Sequence, residues 1–188
     1  MPFPVPRRSL LTGAIVALMT AFPVAAQAPK PEPANTLVLE LKSGKVMIEL
    51  RPDLAPKHVE RVKLLAKEGF YDGIKFHRVI AGFMAQSGDP TGTGTSGSKY
   101  GNLPAEFTNT PFERGVVGAA RSRSKDSANS QFFIMFAANP GLNGEYTVWG
   151  RVIDGMTAVD AIKKGDPDSG TVGNPDSIVK AYLASDVK

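Results

Sequence analysis

The stretch Phe76-His77-Arg78-Val79-Ile80-Ala81-Gly82-Phe83-Met84-Ala85-Gln86-Ser87-Gly88-Asp89 threads one arginine and one glutamine through phenylalanine, methionine and aliphatic residues. Successive strand residues point to opposite faces. Arg78 and Gln86 share parity, so two regular strands would project both polar heads from one face. Gly82 interrupts the run between them. Spacing alone serves a second reading equally well, in which Phe and Met fill a core while Arg78 ion-pairs at the surface.

Working outward, short apolar runs recur between glycine, proline and asparagine clusters at residues 75–80, 82–86, 115–120, 131–136 and 146–153. Many short strands with turns between them predict a mainly β domain, an antiparallel barrel or sandwich. On the N-terminal side, residues 37–41 and 46–50 partly alternate apolar and polar residues around Lys42-Ser43-Gly44-Lys45, which predicts a hairpin. Pro56 suits the first turn of a helix that runs through Val59, Val62, Leu65 and Ala66 to a Gly69 cap. On the C-terminal side the pattern predicts a helix over 156–164 capped by Gly165, a Gly/Asp/Pro loop, and a last strand over 178–183.

The 188 residues suit one domain, with 21% charged and 42% apolar residues, an ordinary globular balance. Near the start, Arg7-Arg8 precedes an apolar segment through Leu10-Leu11, residues 14–19 and Ala21-Phe22, which breaks at Pro23 and ends in small residues. That order predicts a signal peptide over 1–26, and the apolar core is short for a membrane span. The paired arginines before Ser9-Leu10-Leu11 also fit a twin-arginine signal, so the route of export stays open. Residues 27–35 alternate proline and are read as an extended linker, with the domain over 36–188. The net charge of +4 includes Arg7 and Arg8. Without them the balance is +2, too even for an electrostatic footprint on nucleic acid.

Several chemistries are excluded. The chain has no cysteine, so disulfides and thiolate catalysis are absent. It has two histidines, and His58 stands among Lys57, Glu60 and Arg61, where a solvated ring is expected. A zinc site is thereby disfavoured. A Ser-His-Asp hydrolase is disfavoured too, because the Ser87 segment lacks the leading glycine of a nucleophile elbow. Gly92-Thr93-Gly94-Thr95-Ser96-Gly97 matches G-x-G-x-x-G, but more loop follows it instead of the required helix, so it reads as a flexible surface loop. Asp166-Pro167-Asp168-Ser169-Gly170 lacks the later ligands of a calcium loop.

Residues 76–89 resemble the F-H-R-x-I-x-G-F-M-x-Q-x-G-D signature of the cyclophilins, the peptidyl-prolyl isomerases inhibited by cyclosporin. A second block agrees in the same order: Asn129-Ser130-Gln131-Phe132-Phe133-Ile134, then Leu142-Asn143-Gly144 and Val148-Trp149-Gly150-Arg151-Val152. The resemblance covers about residues 37–183. It implies a closed eight-stranded antiparallel barrel capped by two helices and isomerisation of X-Pro bonds without a cofactor. Arg78 matches the family's catalytic arginine and Gln86 its substrate-orienting glutamine. Phe83, Met84, Phe133 and Leu142 match its proline pocket. Ala120, Arg121 and Ser122 match the stretch whose backbone holds the substrate chain, in an alignment that needs one inserted residue before Gln131. Gly94 matches a position lining the neighbouring pocket.

Two positions depart from many eukaryotic members: Gly141 replaces a tryptophan that binds cyclosporin, and Tyr146, carried into the site, replaces a histidine. Weak cyclosporin binding is therefore expected; nanomolar inhibition of the purified protein would contradict it.

The residue types suit such a reaction. Rotating an amide breaks no bond, so no nucleophile, metal or cofactor is needed, only a site that binds the twisted amide better than the planar one. The implied partners are proline-containing polypeptides outside the cytoplasm, met by a periplasmic or secreted monomer. The competing reading is a binding module that holds proline segments without turnover, and isomerase assay of an Arg78→Ala variant separates the two.

Overall fold

Alternation explains the first hairpin. Strand β1 (Thr36–Leu41) pairs antiparallel with β2 (Gly44–Leu50), and the register Leu37↔Ile48 and Leu39↔Val46 closes through Leu41↔Gly44 over a Lys42-Ser43 turn. Leu37, Leu39, Leu41, Val46, Ile48 and Leu50 all enter the main core, as the sequence pattern requires. Helix α1 (Pro56–Lys67) starts on a proline and lays Val59, Val62, Leu65 and Ala66 on the same core. The computed structural model describes Met1 and residues 32–187. Apart from Met1, the predicted signal peptide and residues 27–31 of the predicted linker lie outside the described residues.

Six further strands follow: β3 (Arg78–Ile80), β4 (Met84–Ser87), β5 (Val116–Ala119), β6 (Phe132–Met135), β7 (Val148–Asp154) and β8 (Ile178–Leu183). The eight strands form one antiparallel sheet in the order β3-β4-β6-β5-β7-β2-β1-β8. The sheet curls into a barrel whose seam is looser than a full ladder. No ladder joins the edge strands β3 and β8 among the described residues; isolated bridges join Lys75 to Ser177, just ahead of the two strands, and Arg78 to Thr171 in the loop before β8.

Strands β4 to β6 and the start of β7 are covered on both faces, and β7 then exposes Arg151, Ile153 and Asp154. Ala85, Val117, Phe132, Ile134 and Trp149 point into the main core, while their neighbours Met84, Val116, Phe133, Met135 and Val148 form a second apolar cluster on the opposite face. This is why these strands read as continuous apolar runs and not as alternating ones.

Three sequence expectations are corrected. Helix α2 spans Met156–Asp160, shorter than 156–164, because the chain turns back onto the sheet and Gly165 donates its N–H to the Val79 carbonyl. Within the predicted linker, Pro33–Asn35 form a single 3-10 turn tied to the domain by Lys63 Nζ, which donates to Asn35 Oδ1 at 2.6 Å. His58 is buried instead of solvated, because Glu106 accepts from its ring at 2.6 Å.

Candidate active site

The second apolar face carries the site. Backbone register places Arg78 opposite Gln86, Gln86 opposite Phe133, and Phe133 opposite Gly118, a row across β3, β4, β6 and β5. A parallel row, Ile80–Met84–Met135, lies beside it. Gly118 leaves room for rings that a side chain would fill: a Cβ there would stand 2.6 Å from Phe133 Cζ and 2.7 Å from Phe112 Cε1.

Those rings build an apolar cluster, and its half-exposed side is read as a cleft. Phe133 stacks on Phe112 with centroids 5.7 Å apart, and Tyr146 stands edge-on to Phe133 at 5.7 Å and to Phe112 at 6.5 Å. Phe133 and Met84 are almost fully covered and form the floor, whereas Phe83, Ala120, Leu142 and Tyr146 are half-buried around them. Phe83 is set by the β3–β4 turn, where its N–H donates to Ile80 O. Leu142 ends a 3-10 turn, Pro140–Leu142, whose preceding residue Asn139 donates its N–H to Phe112 O. Gly141 lies in this turn and presents no side chain toward the cleft.

Arg78 is held at the cleft's outer edge on β3. Its Nε donates to Ser169 O at 3.1 Å and its Nη1 approaches Gln86 Oε1 at 3.4 Å. Ser169 is itself fixed by Asp166, whose carboxylate accepts from Ser169 N, Ser169 Oγ and Asp168 N, bonds that hold its pKa below the ordinary value. At Gly170, where φ is +76°, a Cβ would meet Arg78 Cγ at 2.9 Å.

A chain of donors continues from Arg78. Gln86 Nε2 donates to Gln131 Oε1 at 2.9 Å, and Gln131 Nε2 donates to the carbonyls of Gly94 (3.0 Å) and Ser96 (2.7 Å). Gln86, Gly94, Ala120, Arg121 and Ser122 all line one polar cavity of about 520 Å³ beside the apolar cleft. Across its mouth, Ala120 N–H is taken by Gln131 O and Ser122 N–H by Ser127 Oγ. Among the described residues the Arg121 N–H makes no hydrogen bond.

The 92–97 loop is pinned, not flexible. Asp89 is fully buried and its carboxylate accepts from Thr91 Oγ1 and from the N–H groups of Thr91, Gly94 and Ser96. Burial pushes this carboxyl up, but the bonds outweigh it and hold its pKa at about 2. His77 packs its buried ring against Gly94, and burial lowers its pKa. Among the described residues neither ring nitrogen of His77 has a partner, and Ser87 Oγ donates to Lys75 O, so no Ser-His pair forms here.

The structure therefore gathers the predicted residues into two adjoining lobes, with Phe83, Met84, Phe133, Leu142 and Tyr146 in one, Gly94, Arg121 and Ser122 in the other, and Ala120 in both. Gln86 lines the polar lobe and links it to Arg78. Phe112, Gln131 and Ser169 join the site without a role legible in the sequence. Parity alone places Gln131 on the same strand face as Phe133, a usable signal; Phe112 and Ser169 come from loops without periodicity.

Comparison with known proteins agrees with this geometry. Residues 36–183 match the family described as cyclophilin type peptidyl-prolyl cis-trans isomerase/CLD. A "Probable peptidyl-prolyl cis-trans isomerase" of Brucella suis is 53% identical, over 97% of this chain and 98% of that protein. A "Peptidyl-prolyl cis-trans isomerase" of Helicobacter pylori is 40% identical, over 77% and 91%. Among solved structures, the cyclophilin AquaCyp293 from Hirschia baltica superposes with a TM-score of 0.76 at 27% identity, covering 84% of this chain and 77% of that one. A cyclophilin type isomerase of Cryptosporidium parvum, crystallised in the presence of the dipeptide Ala-Pro, gives 0.72 at 30% identity, covering 79% and 98%. The chain belongs to the cyclophilin-type peptidyl-prolyl cis-trans isomerases, and its enzyme class is that of peptidyl-prolyl isomerisation.

Proposed function

We propose that this isomerase works on exported proteins, as a monomer in the periplasm after cleavage of its N-terminal 26 residues, and that it stabilises a twisted imide without covalent chemistry. The observation that carries the mechanism is the in-register row Arg78–Gln86–Phe133, which sets a permanent cation and an amide beside an aromatic floor. The Ala-Pro dipeptide present with the Cryptosporidium relative supports a proline-containing peptide as ligand.

The uncatalysed barrier to rotation is about 18–20 kcal/mol, because the planar amide loses resonance as it turns. As resonance is lost, the prolyl nitrogen becomes pyramidal and gains a lone pair. The guanidinium of Arg78, held by Ser169 O and Gln86, has further N–H groups to donate to that lone pair without losing its own proton. A hydrogen bond to a charged group contributes about 1.5–3 kcal/mol, roughly 10- to 150-fold in rate if made only in the twisted state. Phe83, Met84, Phe133, Leu142 and Tyr146 receive the proline ring. The free N–H of Gln86 and the Arg121 N–H hold neighbouring backbone, and the Gly94 side of the polar cavity takes an adjacent residue.

The test is exchange-NMR measurement of cis/trans interconversion in a proline tetrapeptide, with the natural chain and Arg78→Ala side by side. The variant is expected to lose about 10²-fold in rate while its thermal unfolding stays cooperative. Unchanged turnover overturns the role of Arg78, and an inactive natural chain leaves only peptide binding. Export is tested separately, by finding the processed chain in the periplasmic fraction; retention of the full-length chain in the cytoplasm refutes it.

A further inference from the structure

Tyr146 is oriented by its ring faces and edges alone. Its edges meet Phe133 and Phe112, and among the described residues its hydroxyl makes no hydrogen bond. The exposed face is covered by Arg121, whose guanidinium carbon lies 4.5 Å from the ring centroid. That guanidinium is bound on three sides: Nε and Nη2 donate to Glu145 O at 3.1 and 3.0 Å, and Nη1 donates to Ser122 O at 3.1 Å. Only 14% of the side chain remains exposed, and the Glu145 carboxylate stands 3.6 Å away, shared with Lys125 at 3.2 Å. The planar fork therefore spends its bonds on backbone carbonyls of two different segments while its face rests on the ring, a geometry a lysine cannot copy.

We infer that the Arg121 side chain is a positioning residue: it locks Tyr146 in place as a wall of the proline cleft and ties that wall to the 120–122 segment. This rests on reading the cleft as the proline pocket. The consequence is that the two lobes move as one unit. The backbone of residue 121 borders the polar cavity, and its side chain sets the wall of the apolar one. The pairing depends on the tyrosine at position 146, since the aromatic face is what receives the cation.

The test uses the purified chain with Arg121→Ala and Arg121→Lys. In Arg121→Ala the Tyr146 ring should flip faster by NMR, and the Kd for an Ala-Pro dipeptide and the KM for a proline tetrapeptide should each rise roughly 3- to 10-fold, with kcat within about twofold. Arg121→Lys keeps the cation but not the fork, so it should recover only part of the affinity. In a Tyr146→Ala background, Arg121→Ala should raise the dipeptide Kd no further. A ring-flip rate and a dipeptide Kd unchanged in Arg121→Ala overturn the inference, as does full rescue by lysine. Loss of kcat with KM unchanged also overturns it, by assigning Arg121 to chemistry instead of positioning. If the natural chain shows no isomerisation, the functional reading fails, yet the ring-flip comparison still decides whether Arg121 orders Tyr146.

Discussion

Arg78 and Gln86 stand directly opposite each other on β3 and β4, with Nη1 3.4 Å from Oε1, and the Gln86 amide passes the contact on to Gln131 at 2.9 Å. Hydrogen bonds thus run in one direction from the guanidinium to the loop carbonyls of Gly94 and Ser96. Each member is aimed by the next, so the Gln86 amide stands in the orientation that Gln131 imposes.

Gln131→Leu should break this chain at its last link. The side chain keeps its bulk but leaves the Gly94 and Ser96 carbonyls without their donor and frees the Gln86 amide. Losing hydrogen bonds between half-buried groups such as these costs about 0.5–1.5 kcal/mol. The expected outcome is a fall of roughly tenfold in kcat/KM, with faster amide exchange across residues 94–98. Unchanged exchange there, measured by hydrogen–deuterium NMR, would mean that Gln131 does not hold the loop.

Gly118→Ala should harm the cleft from below. The added Cβ would stand 2.6 Å from Phe133 Cζ and 2.7 Å from Phe112 Cε1, too close for either ring to stay in place. Overpacking of this kind costs about 1–3 kcal/mol, which for a domain of this size lowers the melting temperature by roughly 2–12 °C. Under the proposed reading of the cleft as the proline pocket, activity should fall more than stability predicts, because the displaced ring is its floor. A calorimetric melt alongside the isomerase assay separates these effects, and full activity would show that the Phe133 position is not critical.

The hairpin β1–β2 was legible because β2 alternates buried Val46, Ile48 and Leu50 with half-exposed Met47 and Glu49, and β1, whose Thr36 and Val38 are buried as well, is broken by Glu40. Strands β4 to β6 were legible as strands but not in facing, since both faces are covered and Met84 looks no different from Ala85. The cleft residues were reached through a motif, whereas their supports were not: Ser169 meets Arg78 across 91 positions of chain, and Glu106 meets His58 across 48. His58 looked solvated because its helix neighbours are charged, and no local pattern signals a carboxylate arriving from a distant loop. The over-long reading of α2 has the same cause, since Ile162 continues the apolar period while the backbone has already turned toward Val79.

Asp89→Asn should release the loop that borders the polar cavity. The natural carboxylate is stabilised by Thr91, Gly94 and Ser96, and its pKa is about 2 against an ordinary 3.8. The unfolded chain therefore binds the proton first as pH falls, and this group contributes about 2 kcal/mol that is complete above about pH 4 and lost as pH drops toward 2. The variant should lose about that much stability at pH 7 and show a flatter acid limb between pH 4 and 2. Urea titrations at several pH values measure both; an identical acid limb in the variant would remove Asp89 as its source.

His58 and Glu106 give a second, higher acid step. Burial holds the His58 pKa below its ordinary 6.5, with the hydrogen bond to the Glu106 carboxylate opposing. Burial raises the Glu106 carboxyl, but the bond from His58 and the N–H groups of Lys57 and His58 outweigh it and leave the pKa below its ordinary 4.5. For the histidine, the unfolded chain takes up a proton before the folded one, so stability is complete above pH 6.5 and declines below it. For the glutamate, the contribution is complete above about pH 4.5 and declines as pH falls through its lower folded value. Both steps run the same way, so stability should begin to fall just below pH 6.5 and steepen below 4.5. Glu106→Gln should cost about 1–3 kcal/mol at pH 7, by weakening the bonds that cap α1 and orient the His58 ring. It should also remove the lower step while leaving the upper one, and denaturant unfolding from pH 4 to 8 would expose an error if the natural protein were equally stable at pH 5 and pH 7.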